Sequence, residues 1–151
     1  DEELVEAFET IKANVARYLP FARINGISVQ EMIENKKETI IGVNKDTQFG
    51  HMIMFGLGGI YVEVLKDVSF RIAPITRKDA QEMIGEIKSI SLLKGTRGEK
   101  PSDIDSIIDV LTKISQLVTD FPDIIEMDIN PLFVKEEGKG SIAGDIRIRI
   151  Q

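Results

Sequence analysis

Cysteine and tryptophan are both absent from the 151 residues, and histidine occurs once. The lack of cysteine excludes disulfides, thiolate catalysis and cysteine-built zinc sites. No run of about twenty apolar residues occurs, so no membrane-spanning helix is predicted. The net charge of −6 disfavours nonspecific binding to nucleic acid. The acidic first residues do not resemble a secretory signal, so the cytoplasm is the expected location. Abundant Ile, Lys and Glu suggest a thermophilic source.

The composition, 42% hydrophobic, predicts a single globular domain, and the layout of its predicted helices and strands is α+β. Apolar residues three and four apart predict an opening helix from Leu4 to Tyr18 that ends near Pro20. Short β-prone runs at 27–32 and 38–44 predict a hairpin. Three further strands are predicted at 52–55, 61–65 and 68–72.

Capping residues predict two more helices. Thr76 with Asp79 three positions on forms a capping-box pattern, and Ser102 is the predicted cap of a longer helix over 104–118. The segment 94–100 between them is predicted to be an exposed loop. The apolar face of the first of these helices is expected to be Ala80, Met83, Ile84 and Ile87.

The last two strands, 124–134 and 142–150, are predicted to form a hairpin with one polar and one apolar face. A two-residue turn at Glu137-Gly138 sets Asn130 opposite Asp145, whereas a four-residue loop shifts the register by two residues. Isoleucines 146, 148 and 150 are expected on the core side. The polar face is predicted to carry Glu126, Asp128, Asn130, Asp145, Arg147 and Arg149.

Oxygen ligands from two adjacent strands converge on this polar face in either register. Mg²⁺ takes one or two carboxylates from protein and leaves its other positions to phosphate and water, so the face suits that ion. An ordinary solvated sheet face has the same pattern. Pro131 within the run indicates an edge strand or a strand end. The pattern alone leaves both interpretations open.

Six short motifs stand in a fixed order along nearly the whole chain. They are Val29–Met32, Phe49–Gly50, Phe55–Gly59, Val62–Val68, Arg71–Pro74 and Asp128–Leu132. In sequence and in order they resemble the motifs of the β subunit of ADP-forming acetyl-CoA synthetases.

The resemblance implies an ATP-grasp fold, mostly antiparallel sheet packed by helices, in which two lobes hold ATP between them. It implies a reaction that interconverts acyl-CoA, ADP and phosphate with free acid, CoA and ATP, as in the similar succinyl-CoA synthetase. The phosphoryl group would travel on a histidine of a CoA-binding α subunit or domain, so a hetero-oligomer is expected. His51, where the family usually has proline, is instead expected to be a loop residue.

The resemblance also implies site residues. Gln30, Glu31 and Met32 are similar to the hinge that holds adenine. Asn130 and Asp145 resemble the two Mg²⁺ ligands. Asp128, one same-face position away, is a further or alternative ligand.

Weaker candidates complete the predicted site. Arg71 is a candidate phosphate clamp because its planar guanidinium makes bidentate contacts. Glu63 is a candidate metal or structural residue, and a surface ion pair is the alternative for both. Gly58 and Gly59 are candidates for close backbone approach to phosphate, with a simple turn as the alternative.

Members of this family carry a glycine-rich lid and a phosphate-binding lysine upstream of the opening helix. The chain is therefore predicted to be the C-terminal lobe of an incomplete ATP-grasp domain, spanning 1–151 and inactive without the upstream lobe. The alternative is a noncatalytic or regulatory ATP-grasp-like module, such as one carried by a protein acetyltransferase.

Overall fold

The chain divides into two compact units, Asp1–Met32 and Ile33–Gln151. The structure is a computed structural model, and it describes residues 2–34, 37–59, 62, 64–96 and 98–151. Within the described residues, no helix has the length and apolarity to cross a bilayer.

The first unit contains helix α1, Glu2–Tyr18, followed by a segment without regular structure. The helix confirms the prediction from apolar spacing. None of its residues is buried, and Leu4, Val5 and Phe8 all remain substantially exposed. The predicted hairpin of 27–32 with 38–44 is wrong, because 27–32 forms no strand and 38–44 pairs elsewhere.

The second unit is built on one antiparallel sheet. Its order is β3-β2-β1-β4, and both β5 and β6 pair with the outer side of β4. The strands are β1 (Lys37–Asp46), β2 (Gly50–Leu57), β3 (Val68–Ile72), β4 (Ile124–Val134), β5 (Ser141–Ala143) and β6 (Ile146–Ile150).

Strands β2 and β3 confirm the predictions at 52–55 and 68–72. The strand predicted at 61–65 is not formed by its described residues, since Val64 and Leu65 lie in a turn. Tyr61 and Glu63 lie outside the described residues. Asp67 follows this turn, and its buried carboxylate accepts hydrogen bonds from Lys88 N (2.8 Å) and from Ser89 N (2.8 Å) and Oγ (2.5 Å).

Helices α2 (Arg77–Glu86), α3 (Ile90–Leu93) and α4 (Ile104–Asp120) belong to the same unit, and α2 and α4 contact the sheet. We call the sheet side that carries Ile53 and Phe55 the helix face, because these buried residues share one core with α2 and α4. The predicted apolar face of α2 is confirmed by four buried residues, Ala80, Met83, Ile84 and Ile87.

The predicted capping box of α2 is present, with Thr76 Oγ1 accepting from Asp79 N and Asp79 Oδ2 accepting from Thr76 N. For α4 the prediction is wrong by one residue, because Asp103 and not Ser102 is the cap. Asp103 accepts from Ser106 N (3.0 Å) and also from Gly140 N (2.8 Å), so one carboxylate ties the helix start to the hairpin turn. The described part of 94–100 is a loop, as predicted.

Candidate functional site

The sheet side opposite the helix face carries no helix of the second unit, and we call it the open face. Two rows of side chains cross it in register. The middle row is Arg147, Asp128, Gly42, Met54 and Phe70. The end row is Arg149, Glu126, Asn44, Met52 and Ile72.

These rows, apart from Ile72, line a groove of about 440 Å³. Its β2 and β3 side is apolar, formed by Met52, Met54 and Phe70, whereas its β4 and β6 side is charged. Gly42 keeps the middle open, since a Cβ there would stand 3.2 Å from the Met54 Cε. The open face therefore offers an apolar wall facing a charged one, a common composition for a small-molecule site.

The hairpin register is the one that a two-residue turn predicts. Lys139 N donates to Glu136 O (2.9 Å) across Glu137-Gly138, and Gly138 has a positive φ of 77°. Asn130 consequently lies opposite Asp145, with Asn130 N donating to Asp145 O at 3.1 Å. Asp128 lies opposite Arg147 in the same register.

Pro131 lies in a central strand, contrary to the prediction of an edge strand or a strand end. On one side of β4 the pairing with β1 shifts register between Thr39 and Ile41, which places a bulge beside the proline. On the other side, Pro131 falls in the gap between β5 and β6, where its carbonyl accepts from Gly144 N (2.8 Å). A bulge accommodates a residue that has no N–H to donate.

The charged wall is arranged in pairs. Arg147 donates to Asp145 Oδ2 from Nε (3.2 Å), with Nη2 3.1 Å from the same oxygen. Arg149 donates to Glu126 Oε2 from Nε (2.9 Å) and Nη2 (2.6 Å). Burial raises the pKa of Asp128, and the neighbouring Asp145 and Glu126 raise it further, against the opposing charge of Arg147.

The donor set fits a hard divalent cation that keeps several nonprotein ligands. Asn130 in β4 carries an amide and Asp145, just before β6, carries a carboxylate; the two are joined by the hydrogen bond from Asn130 N to Asp145 O, and Asp128 lies two residues away along β4. Among the residues that the structure describes, no group of three or more His, Cys, Asp or Glu side chains is placed to hold a metal. Mg²⁺ is commonly bound through one or two protein oxygens while phosphate and water fill its other positions.

Arg71 is not brought together with these residues. It lies opposite Ile53 on the helix face, where its guanidinium contacts both carboxylate oxygens of Glu86 and lies 3.7 Å from Glu82. Hydrogen bonds with Glu86 raise the pKa of Arg71. An ion pair therefore forms in place of the predicted phosphate clamp. Glu63, the other candidate on these strands, lies outside the described residues.

Gly58 and Gly59, the candidates for backbone contact with phosphate, differ in their surroundings. Gly58 N donates to Glu38 O (2.8 Å), and a Cβ at Gly58 would meet Glu38 backbone and side-chain atoms at 3.1–3.3 Å. Its amide is therefore already engaged within the protein. Gly59 is exposed with a positive φ of 63°, which suits a turn.

The adenine-hinge candidates Gln30, Glu31 and Met32 belong to the first unit. All three are exposed, and Met32 is 81% exposed. Their proposed contact with adenine stays a prediction.

His51 is a strand residue of β2, so its prediction as a loop residue is wrong. The imidazole is buried, and its Nε2 lies 2.6 Å from Ile124 O. A carbonyl oxygen only accepts, so Nε2 carries the proton and donates. This contact ties the start of β2 to the start of β4 and gives His51 a structural role.

Sequence reasoning missed the β1, β2 and β3 part of the open face. Gly42, Met54 and Phe70 complete the middle row, yet none was a candidate. The same two-residue alternation that identified the polar hairpin face would have found them, because Ile41, Val43, Ile53 and Phe55 mark the opposite, buried face.

Comparisons with known proteins agree with this fold. The chain is 54% identical over 148 residues to the β subunit of ADP-forming acetate–CoA ligase II from Pyrococcus furiosus, covering 97% of this chain and 63% of that one. It is 55% identical over 138 residues to ADP-forming acetate–CoA ligase I from Archaeoglobus fulgidus, covering 91% of this chain and 20% of that one.

Among solved structures, dinucleotide-forming acetyl-coenzyme A synthetase 1 of Ca. Korarchaeum cryptofilum, in complex with coenzyme A and Ca-AMPCP, gives a TM-score of 0.87. The identity is 44%, over 99% of this chain and 65% of that one. The chain thus spans less than two thirds of the length of each of these relatives. The ATP-grasp domain family matches residues 1–150, and the chain therefore belongs to that family.

Proposed function

We propose that the chain is the ATP/ADP- and Mg²⁺-binding component of an ADP-forming acyl-CoA ligase. The observation that carries the proposal is the backbone pairing of Asn130 with Asp145, two residues along the hairpin from the Asp128 and Arg147 pair. The relatives support the reaction class, since they are named as ADP-forming acetate–CoA ligases. The reaction would convert acyl-CoA, ADP and phosphate into free acid, CoA and ATP.

In this proposal Asn130 and Asp145 hold Mg²⁺, and Asp128 supplies a further oxygen. When bound, Mg²⁺ neutralises phosphate charge during phosphoryl transfer. The apolar wall of Met52, Met54 and Phe70 would pack against the bound nucleotide and exclude water from that side of it.

The chain would work as the C-terminal lobe of its ATP-grasp domain, together with an upstream lobe and a CoA-binding α subunit or domain whose histidine carries the phosphoryl group. Gln30, Glu31 and Met32 are the proposed adenine hinge, with the exposed Gly59 as a backbone contact to phosphate. A hetero-oligomer is the expected assembly. A cytoplasmic location and a thermophilic source stay predictions from composition.

The test is isothermal calorimetry of ADP binding by the full-length protein, with and without Mg²⁺. Replacing both Asn130 and Asp145 by alanine should weaken Mg²⁺·ADP binding by about a hundredfold or more, since loss of even an outer-shell partner typically costs 10- to 100-fold. Metal-free ADP binding should change little.

A matched control is the amide and carboxylate pair of α4, in which Gln116 Nε2 donates to Asp120 Oδ1 at 2.7 Å. Both residues are exposed on a helix, and replacing both by alanine should leave Mg²⁺·ADP affinity unchanged. Unchanged Mg²⁺ dependence in the hairpin double variant would refute the metal assignment. Tight Mg²⁺·ADP binding without ligase turnover, in the presence of the CoA-binding partner, would favour the noncatalytic alternative.

A further inference from the structure

Arg147 is the arginine of the open face whose partner is a proposed metal ligand. Its side chain is 79% exposed, and both of its close contacts go to a single oxygen, Oδ2 of Asp145. The other oxygen, Oδ1, accepts no hydrogen bond from any residue that the structure describes. The guanidinium therefore lies against a carboxylate that still has a free coordination position.

Three other arginines of this unit form ion pairs within the described residues, and they are held differently. Arg149 makes a cross-strand pair with Glu126, a residue outside the proposed ligand set. Arg71 is fixed by Glu86 on the helix face, and Arg77 pairs with Asp109 of α4. A cation bound to Asp145 would weaken only the Arg147 pair directly, because the ion competes with the guanidinium for the same carboxylate.

The guanidinium group determines which ligand Arg147 would bind once it leaves Asp145. The guanidinium is planar, stays charged and makes bidentate contacts with phosphate. Arg147 lies in the middle row, directly opposite Asp128 and two residues from Asp145. A phosphate bridged by an ion on Asp145 would lie within reach of this flexible side chain.

We propose that Arg147 is a phosphate-binding residue that exchanges Asp145 for a phosphate oxygen of a nucleoside diphosphate when the divalent cation binds. The proposal rests on the proposed function, because it takes Asp145 as a metal ligand. The exchange makes metal and nucleotide binding cooperative. The cation on Asp145 releases Arg147 for phosphate, and the phosphate keeps Arg147 from competing with the cation for Asp145.

Two binding measurements on the full-length protein test this exchange. Loss of the guanidinium in Arg147→Gln frees Asp145, so Mn²⁺ alone, followed by electron paramagnetic resonance, should bind several-fold tighter. Mg²⁺·ADP, followed by calorimetry, should bind about ten- to a hundredfold more weakly, the range expected for a lost charge-assisted contact. AMP affinity should change much less than ADP affinity, and Arg147→Lys should recover part of the ADP affinity.

Arg77→Gln is the matched control, because Arg77 is also an exposed arginine paired with an aspartate but belongs to α2. It should alter neither measurement. A fall in both Mn²⁺ and Mg²⁺·ADP affinity in Arg147→Gln would indicate a merely structural role and overturn the proposal, as would unchanged Mg²⁺·ADP affinity. Absence of Mg²⁺·ADP binding in the unsubstituted protein would instead refute the proposed function itself.

Discussion

At the scale of single residues, Asp128 is a carboxylate of the open face whose ionised form is disfavoured by its surroundings. It is half-buried in the middle row, with Glu126 and Asp145 as acidic neighbours. Its pKa is raised, chiefly by burial. A carboxyl group with a raised folded-state pKa destabilises the folded protein when it is ionised. Ionised Asp128 therefore lowers the free energy of unfolding of the metal-free protein.

We expect Asp128→Asn to stabilise the metal-free protein at pH 7. The gain should be roughly half a kcal/mol, the lower end of what surface-charge optimisation gives. The unfavourable charge is fully present above the raised folded-state pKa and absent below the ordinary value of 3.8. The gain should therefore disappear as the pH falls below that value.

Urea unfolding of both proteins from pH 3 to pH 8 measures this difference. Asp105→Asn, an exposed aspartate in the first turn of α4, is a suitable comparison and should not stabilise the protein. Asp128→Asn that destabilises at pH 7 would contradict the prediction.

Arg71 and Arg147 show how far alternation along a strand predicts a site. Alternation correctly placed Arg147 with Asp145 and Glu126. It also separated Arg71 from Phe70 and Ile72, but it could not tell which side of β3 faces the helices. The open face is apolar at Met52 and Phe70, while Glu82 and Glu86 of α2 pair with Arg71 on the helix face. The choice between a phosphate clamp and an ion pair for Arg71 therefore depended on the position of α2, which alternation along β3 does not contain.

At the scale of elements, the register of the hairpin of β4 with β5 and β6 could be predicted from the sequence. The burial of its side chains was less predictable. The turn at Glu137-Gly138 fixes the pairing locally, so sequence sufficed. Ile146 and Ile148 lie opposite Ile129 and Met127, as the apolar pattern implies, yet each is 50% exposed. They belong to an edge strand, and burial there depends on helix placement, which the local pattern does not contain.

Local propensity also failed where pairing is distant in sequence. Segment 27–32 has β-prone residues, but β1 pairs with β2 on one side and with β4, almost ninety residues later, on the other. Both edges of β1 are therefore occupied. The preference of a segment for extended backbone does not identify its partner, because pairing depends on burial and on neighbouring strands.

Gly144 is the point at which the hairpin is most sensitive to added volume. A Cβ there would stand 2.6 Å from the Phe133 Cε2 and 3.2 Å from Pro131 O. We expect Gly144→Ala to destabilise the protein by about 1 to 3 kcal/mol, the usual cost of overpacking. It should also weaken Mg²⁺·ADP binding, because Asp145 is the next residue.

Phe133→Leu in the Gly144→Ala background removes the ring carbon that clashes and should recover part of both losses. Thermal unfolding measures the stability and calorimetry the affinity. Gly85→Ala, where an added Cβ meets nothing within 4 Å, is the matched control and should not destabilise. Equal stability of Gly144→Ala and the unsubstituted protein would contradict the predicted clash.

At the scale of the whole molecule, the two units differ in how much core each possesses. The hydrophobic core consists of residues from 41 to 134, all in the second unit. Helix α1 has no buried residue. An isolated helix of this length is marginal in water, because most helical stability in proteins comes from packing.

We therefore expect residues 33–151 to fold alone and to unfold cooperatively, whereas a peptide of residues 1–32 should be largely unstructured. Circular dichroism of the two separate pieces measures this. Limited proteolysis of the full-length protein should cut first between residues 19 and 34. A noncooperative transition for 33–151 would show that its core is insufficient.

The two faces of the sheet also differ in how they tolerate amino-acid substitutions during evolution. Neighbouring positions on β1, β2 and β4 serve different purposes, with Ile41, Ile53 and Ile129 filling the core and Gly42, Met54 and Asp128 lining the groove. In a library of variants, changes at the first set would destabilise the core and lower the amount of folded protein. Under the proposed function, changes at the second set would lower nucleotide binding and leave the amount of folded protein nearly unchanged. Selection for persistence and selection for activity can thus act on adjacent codons almost independently.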